Sequence, residues 1–399
     1  MKKVTILFLS FLLFLTAFSI DANEHTYTIG VITFLSTETQ AVFEDAKKVL
    51  EENLEYGNVL FINAATEATC DEYVNLYLSY NATDNVYKAT YEDGDYLVSS
   101  IYSPEGYKSY KTFLMEIIYY PLEKLAIHRL KTKDFSGYLR LTYYPGVDEY
   151  GDYSNGLFLF ITDRLAGNRN IAYIDIFSNK IKLLPVFGSS EYYPKFSPNS
   201  ESILFQGSLH GFWNIYVMPF GDPNYSRKIK RISKGNFPAY SPEWYDENTV
   251  LYIQDTETGN VMIKKNIKTG QIQKVNTVGA MVFTPKVFNT EIYYTSLQGA
   301  NFGIYKNVDG ENYKVEDTFY NEHDPVIIDA THMIFTSNRD GLYRIWMKNL
   351  ETGSVTCLTP DLNYDVFYPA YGDGILFFSV YEEGQEPDIY ALKLNLDDM

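Results

Sequence analysis

The chain has 399 residues, of which 46% are hydrophobic, 17% aromatic and 21% charged. Its 33 Lys and Arg against 51 Asp and Glu give a formal net charge of -18, which excludes a nucleic-acid backbone as partner, because phosphate neutralisation takes clustered basic residues. The apolar fraction supplies a sizeable core and excludes intrinsic disorder, while 37 Tyr and 26 Phe favour sheet.

Residues 1–22 read as an export signal. Lys2 and Lys3 form a positive start, Ile6–Phe14 an apolar run, and Thr16–Ala22 a softer stretch leading to cleavage after Ala22. The run is short for a helix crossing about 30 Å of hydrocarbon, and no second apolar run of about 18 residues follows, so the mature chain is expected to be soluble. The two cysteines, Cys70 and Cys357, are expected to stay unpaired in a protein with this much core.

Residues 23–137 alternate strand and helix patterns and are expected to form a small α/β domain. Tyr27–Leu35 reads as a strand. Val42, Ala46, Val49, Leu50 and Leu54 recur at helical spacing within Thr37–Leu54, and Gly57 ends that helix. Strands follow at Val59–Asn63, Tyr73–Tyr80, Asn85–Tyr91 and Tyr96–Tyr102. Tyr110–Leu130 then reads as a helix broken or kinked at Pro121.

From residue 138 to 399 the helical patterns give way to a repeat. A marker recurs at Asn170-Ile-Ala172, Asn214-Ile-Tyr216, Asn260-Val-Met262, Gly303-Ile-Tyr305, Arg344-Ile-Trp346 and Asp388-Ile-Tyr390, at spacings of 44, 46, 43, 41 and 44 residues. An apolar strand precedes each marker, as in Val250–Ile253, and a tight turn such as Lys268-Thr-Gly270 follows several. Six units of about 43 residues, each with three or four short strands, predict a six-bladed β-propeller. The last unit ends after its third strand. Tyr138–Tyr143 alternates well enough to complete it, which would cover an otherwise open sheet edge. Lys131–Ser136 is expected to be a cleavable linker, with 138–399 folding alone.

The first strand of several units carries a second marker: Tyr193-Pro-Lys-Phe-Ser-Pro198, Phe237-Pro-Ala-Tyr-Ser-Pro242, Phe367-Tyr-Pro-Ala-Tyr371 and Val282-Phe-Thr-Pro285. Pro is expected at the start of such a strand and in the turn after it. These motifs, with Tyr27-Thr-Ile-Gly-Val-Ile32 and Leu122-Glu-Lys-Leu125 in the first domain, resemble the TolB family of the Tol–Pal cell-envelope system over nearly the whole mature chain. The resemblance implies a periplasmic, non-catalytic scaffold in protein transport and cell division. Its funnel would receive an envelope protein such as a peptidoglycan-associated lipoprotein. Only Asn23–Thr26 precede the first strand, so the family's contact between its N-terminal peptide and an inner-membrane Tol component is not expected. Turns at Pro198-Asn-Ser-Glu201 and Pro242-Glu-Trp-Tyr245 depart from the family's usual Pro-Asp-Gly.

No hydrolase elbow, phosphate-binding loop or zinc-binding helix motif is present in the sequence. His25, His128, His210, His323 and His332 lack ligand spacing, so neither metal nor cofactor is expected. Asp93-Gly-Asp95 and Asp148-Glu149-x-x-Asp152 read as turn residues on an acidic surface. The repeat register places one set of loops on a common face, and that face is the candidate site for a protein partner of a monomer. Its candidate residues are Glu191, Tyr192, His210, Trp213, Asn236, His323, Asp324, Arg339, Asp340 and Asp365, with Arg339 and Trp213 as anchors. The alternative is an exported propeller hydrolase or lyase, or a glycan- or peptide-binding module.

Overall fold

The computed structural model describes residues 29–35, 39–40, 43–44, 59–63, 72–94, 96–103, 110–144, 146–165, 167–186 and 188–396. The expected export signal, Cys70, His25 and most of the expected Thr37–Leu54 helix lie outside them. Within that helix Phe43 N donates to Thr39 O at 2.9 Å, the spacing of one α-helical turn.

The N-terminal part contains one five-stranded sheet. Ile29–Leu35 lies between Val59–Asn63 and Glu72–Asn81, parallel to both, and Val86–Asp93 and Tyr96–Tyr102 extend the sheet antiparallel. Every second residue of Glu72–Asn81 turns inward: Val74, Leu76 and Leu78 are buried, whereas Tyr77 and Ser79 face out. The helix Tyr110–Thr132 runs unbroken through Pro121. Tertiary packing holds it there, since Tyr119, Leu122, Leu125, Ala126, Ile127 and Leu130 are all buried.

Six four-stranded antiparallel sheets follow, and the first strand of each meets the first strand of the next around a ring. The fold is a six-bladed propeller. The inner strands are Asp148–Ser154, Glu191–Phe196, Ala239–Asp246, Met281–Phe288, Glu322–Ile327 and Asp365–Gly372. The repeat markers all fall on third strands, such as Asn214–Pro219 and Asp388–Lys393. Each blade interface is filled by rows of second- and third-strand side chains, among them Ile203, Phe205 and Tyr216, then Tyr252, Ile253 and Tyr294. Each such side chain contributes about 1.5–3 kcal/mol by leaving water.

The ring closes as its unfinished last unit anticipates. Tyr138–Arg140 pairs antiparallel with Asp388–Lys393 as the fourth strand of blade six, setting Tyr138 against Leu392 and Arg140 against Tyr390. Arg140 pairs with Asp388, whose carboxylate also accepts the Thr142 hydroxyl at 2.8 Å.

The two parts share an interior. Leu122, Leu125, Ala126 and Leu130 of the helix pack in one cluster with Leu139, Leu141, Phe158, Phe160, Ile174 and Phe377 of blades one and six. Glu123, also buried, accepts the Tyr143 and Tyr144 N–H groups at 3.0 Å each and both terminal nitrogens of Arg164 at 2.6 and 2.9 Å. This packing argues against the independent folding expected of 138–399.

Candidate functional site

Six residues with left-handed backbone ring the propeller axis. They are Tyr150, Tyr193, Ser241, Thr284, Asp324 and Tyr368, with φ between 40° and 55°. Each sits where its inner strand slips register against its neighbour, so each blade has a bulge at the same level. Pro follows at 194, 242, 285, 325 and 369. A bulge needs no ladder donor there, which is why Pro stands inside these strands. Blade one has Gly151 instead, because a Cβ would come within 2.5 Å of the Phe158 ring.

This alignment corrects the sequence register. Ser241-Pro242 matches Tyr193-Pro194, whereas the motif reading had matched Phe237-Pro238 to that pair. Pro198 and Pro238 lie outside the strands and carry no repeat signal. The acidic run at 148–152 is likewise no surface turn. It forms the inner strand of blade one, and Asp148, Glu149 and Asp152 face Arg164, Arg169 and Lys195.

The six residues line one channel with an empty volume of ≈ 450 Å³, part of it open solvent. Three of them pack together on one side. The Tyr150 ring lies 4.5 Å from that of Tyr193 and 4.0 Å from that of Tyr368, whose hydroxyl donates to Tyr150 Oη at 3.2 Å. Burial pushes all three phenols above their usual range, so they remain protonated. Two residues further along, charges alternate around four blades: Asp152, Lys195, Glu243 and Lys286. Lys195 Nζ is 3.5 Å from Asp152, and Lys286 Nζ is 2.9 Å from Glu243. Burial pushes the Lys195 amine down, with Lys286 adding repulsion, whereas Glu243 and Asp152 outweigh burial at Lys286 and hold it up.

At the mouth, the candidate residues divide. Tyr192 and Trp213 meet edge to face with ring centres 5.2 Å apart, and Arg169 donates to the Tyr192 hydroxyl. His323 stacks on Phe367 at 5.8 Å, and its Nδ1 lies 2.8 Å from Asp324. Asp365 accepts the Tyr343 N–H at 2.8 Å and takes part in holding the blade entry. His210 is exposed, with Nδ1 2.6 Å from Tyr216 Oη, and Asn236 is exposed three residues before its strand. Asp340 pairs with Arg344 at 2.7 Å.

Arg339 is no surface anchor. Its guanidinium is held by Glu316 at 2.7 Å and Glu322 at 3.3 Å, over the Phe335 and Trp346 rings. Glu191 is fully buried.

Sequence reasoning missed the apolar rim of this mouth. Eleven large hydrophobic side chains are exposed among the described residues, and five of them, Leu165, Phe237, Met281, Phe319 and Tyr320, stand in its loops or strand entries. Phe319 is 93% exposed. Apolar side chains in loops outside any periodic element were the available signal. Among the described residues no group of three or more His, Cys, Asp or Glu is arranged to hold a metal, and no helix is long and apolar enough to cross a membrane. Cys357 is unpaired and half-buried.

No family model matches the chain, and no match is found among curated proteins. Solved structures similar to it include TolB from Acinetobacter baumannii, 12% identical over 92% of this chain and 94% of that one, with a TM-score of 0.44. A TolB-type structure from Agrobacterium tumefaciens is 13% identical over 63% of this chain and 91% of that one, with a TM-score of 0.48. A puromycin-hydrolyzing peptidase from Mycobacterium tuberculosis is 10% identical over 80% of this chain and 51% of that one, with a TM-score of 0.49.

Proposed function

We propose that the protein is an exported, non-catalytic recognition scaffold whose partner, an envelope protein, docks across the propeller mouth. The observation that carries this reading is the apolar rim. Phe237, Met281, Phe319 and Tyr320 stand exposed at the entries of blades three to five, on the side of the ring that carries the aromatic pairs Tyr192–Trp213 and His323–Phe367. Exposed apolar side chains gathered on one face mark interaction surfaces, and aromatic anchors with a polar surround suit a protein partner. The channel beneath supports binding over chemistry, because its lysines face carboxylates and its tyrosines pack on one another. The resemblance to the TolB family makes a peptidoglycan-associated lipoprotein the first partner to test.

The test is capture of that lipoprotein by the immobilised mature chain. Trp213→Ala and Phe319→Ala together are expected to weaken capture at least tenfold with the melting temperature almost unchanged, since such anchors cost about 2 kcal/mol or more each. Equal capture by wild type and the double variant would remove the mouth as the interface.

A further inference from the structure

Three blades carry an acid at one equivalent position, two residues before the left-handed residue: Asp148, Glu191 and Glu322. Their cross-strand partners are Thr162, Gly207 and Ser337. Two residues past those partners stand Arg164, Leu209 and Arg339. Arg164 reaches Asp148 at 2.6 Å, and Arg339 reaches Glu322 at 3.3 Å. Both guanidinium groups lie over the ring of the second strand, Phe160 at 5.9 Å and Phe335 at 5.0 Å. Blade two keeps the acid and the ring, Phe205, which stacks on Tyr216 at 5.6 Å. It lacks the arginine, the cross-strand hydroxyl of Thr162 or Ser337, and the second acid, Glu123 or Glu316, that shares each arginine in the other two blades.

Glu191 is therefore a buried acid without a counter-charge. It is 0% exposed, and neither carboxyl oxygen has a hydrogen-bond partner. Among the described residues no cation pairs with it. Ser189 is engaged with the Ser190 carbonyl and the Ser208 N–H, and Tyr225 donates to the Pro185 carbonyl. Arg169 gives its carbonyl to the Glu191 N–H, and its two terminal guanidinium nitrogens go to Glu149 and Tyr192. His210, on the same loop as Leu209, turns to Tyr216.

We propose that Glu191 is the vacant acid of an arginine site, and that a guanidinium carried by a protein docked on the mouth takes the place that Arg164 and Arg339 fill in their own blades. This rests on the mouth being the recognition face. By register Leu209 holds the arginine's place in blade two, packed against the cluster of Phe205 and Tyr216. It is half-buried, on a loop between Trp213 and the strand Ser202–Gly207, and it must swing out for the guanidinium to enter. Burial pushes the Glu191 carboxyl up to about 8, so the free chain holds a neutral acid at pH 7. A guanidinium arrives charged, Glu191 gives its proton to solvent, and the ion pair forms. Binding thus releases one proton and tightens as pH rises toward 8.

The probe is Nα-acetyl-arginine methylamide, titrated calorimetrically into the full chain at pH 6 and pH 8, with the uncharged citrulline analogue as control. The arginine probe is expected to bind at least tenfold tighter at pH 8, the citrulline analogue not to bind, and E191Q and L209R to lose the site. Absence of binding at pH 8, or equal binding by citrulline or by E191Q, overturns the proposal. A second measurement needs no ligand. L209R is expected to raise the melting temperature at pH 8 in the wild-type background and to give no gain in E191Q. A loss equal in both backgrounds overturns it. Neither measurement involves the partner, so failure here with capture still dependent on Trp213 and Phe319 removes the arginine site alone.

Discussion

Glu123 on the helix grips Arg164 of the first blade through both carboxylate oxygens, at 2.6 and 2.9 Å, and Arg164 in turn grips Asp148 on the inner strand at 2.6 Å. The three side chains are almost fully buried, and they tie the N-terminal part to the wall of the channel.

Removing Glu123 leaves the Tyr143 and Tyr144 N–H groups without their acceptor and Arg164 with one carboxylate in place of two. Glu123→Ala is expected to cost about 3–5 kcal/mol, the usual result of breaking a buried ion pair from one side. Chemical denaturation of the purified variant reads this directly. A loss under 1 kcal/mol would show that the group is replaceable by water.

Lys131–Asp134 is exposed and open to protease, yet the helix before it packs against Leu139, Phe158 and Phe160. Nicking there is expected to leave both pieces associated on gel filtration. The isolated 138–399 fragment should unfold at lower temperature than the nicked complex. Clean separation with an unchanged melting point of the fragment would restore two independent units.

Arg140 and Asp388 join the closing strand to the last strand of the ring. Asp388→Ala should cost about 3–5 kcal/mol by stranding a buried guanidinium, whereas replacing both by apolar residues of similar size should be much milder. Hydrogen exchange localises the effect: Tyr138–Arg140 amides should lose protection first in the single variant. Uniform loss across all blades would mean that the ring does not open at this seam.

Thr284 holds φ 40°, an unfavourable conformation for a β-branched residue. Its hydroxyl meets that of Thr295 at 2.8 Å. Thr284→Asn is expected to stabilise by about 0.5–1 kcal/mol, since Asn tolerates this backbone and keeps a polar group, and Thr284→Val should destabilise. Paired thermal melts of the two variants decide it, and the same sign for both contradicts the strain argument.

Acid tolerance has a local contributor. Burial would raise the Asp175 carboxyl, but Lys182 and Ser178 outweigh it and hold it at about 2. A depressed carboxyl stabilises the fold above its unfolded value near 4, and that contribution is lost as pH falls through 2. Asp175→Asn should remove about 1 kcal/mol at pH 6, allowing for the half-exposed Lys182, and nothing below pH 2. A pH series of melting temperatures for both proteins tests the convergence.

The propeller was legible because its cores repeat: Ile203, Phe205, Ile215 and Tyr216 announce two strands of a blade, and the spacing of such pairs sets the ring. The inner strands were harder. Their signal is one left-handed residue before a Pro, and Phe237-Pro238 and Ser197-Pro198 imitate it in sequence without the bulge. The site was half legible. Tyr192, Trp213, His323 and Asp324 lie at strand ends on one side of the ring, a position that loop order gives because it follows from strand order. Arg339 looked like an anchor because its acids, Glu316 and Glu322, come from strands whose proximity no local pattern reveals. Phe319 and Tyr320 escaped notice because a loop residue has no period.

Joining residue 138 to residue 392 also sets the timetable of assembly. Five blades can form from sequence-local hairpins as the chain is made, but the sixth needs a strand synthesised some 250 residues earlier. Until Asp388–Lys393 is available, Tyr138–Arg140 has no partner and the helix cluster lacks Phe377, Ile389 and Ala391. The last blade, the seam and the N-terminal docking therefore mature together at the end of folding. An incomplete chain keeps a long open edge and an exposed apolar seam, the features by which quality control recognises an unfinished product.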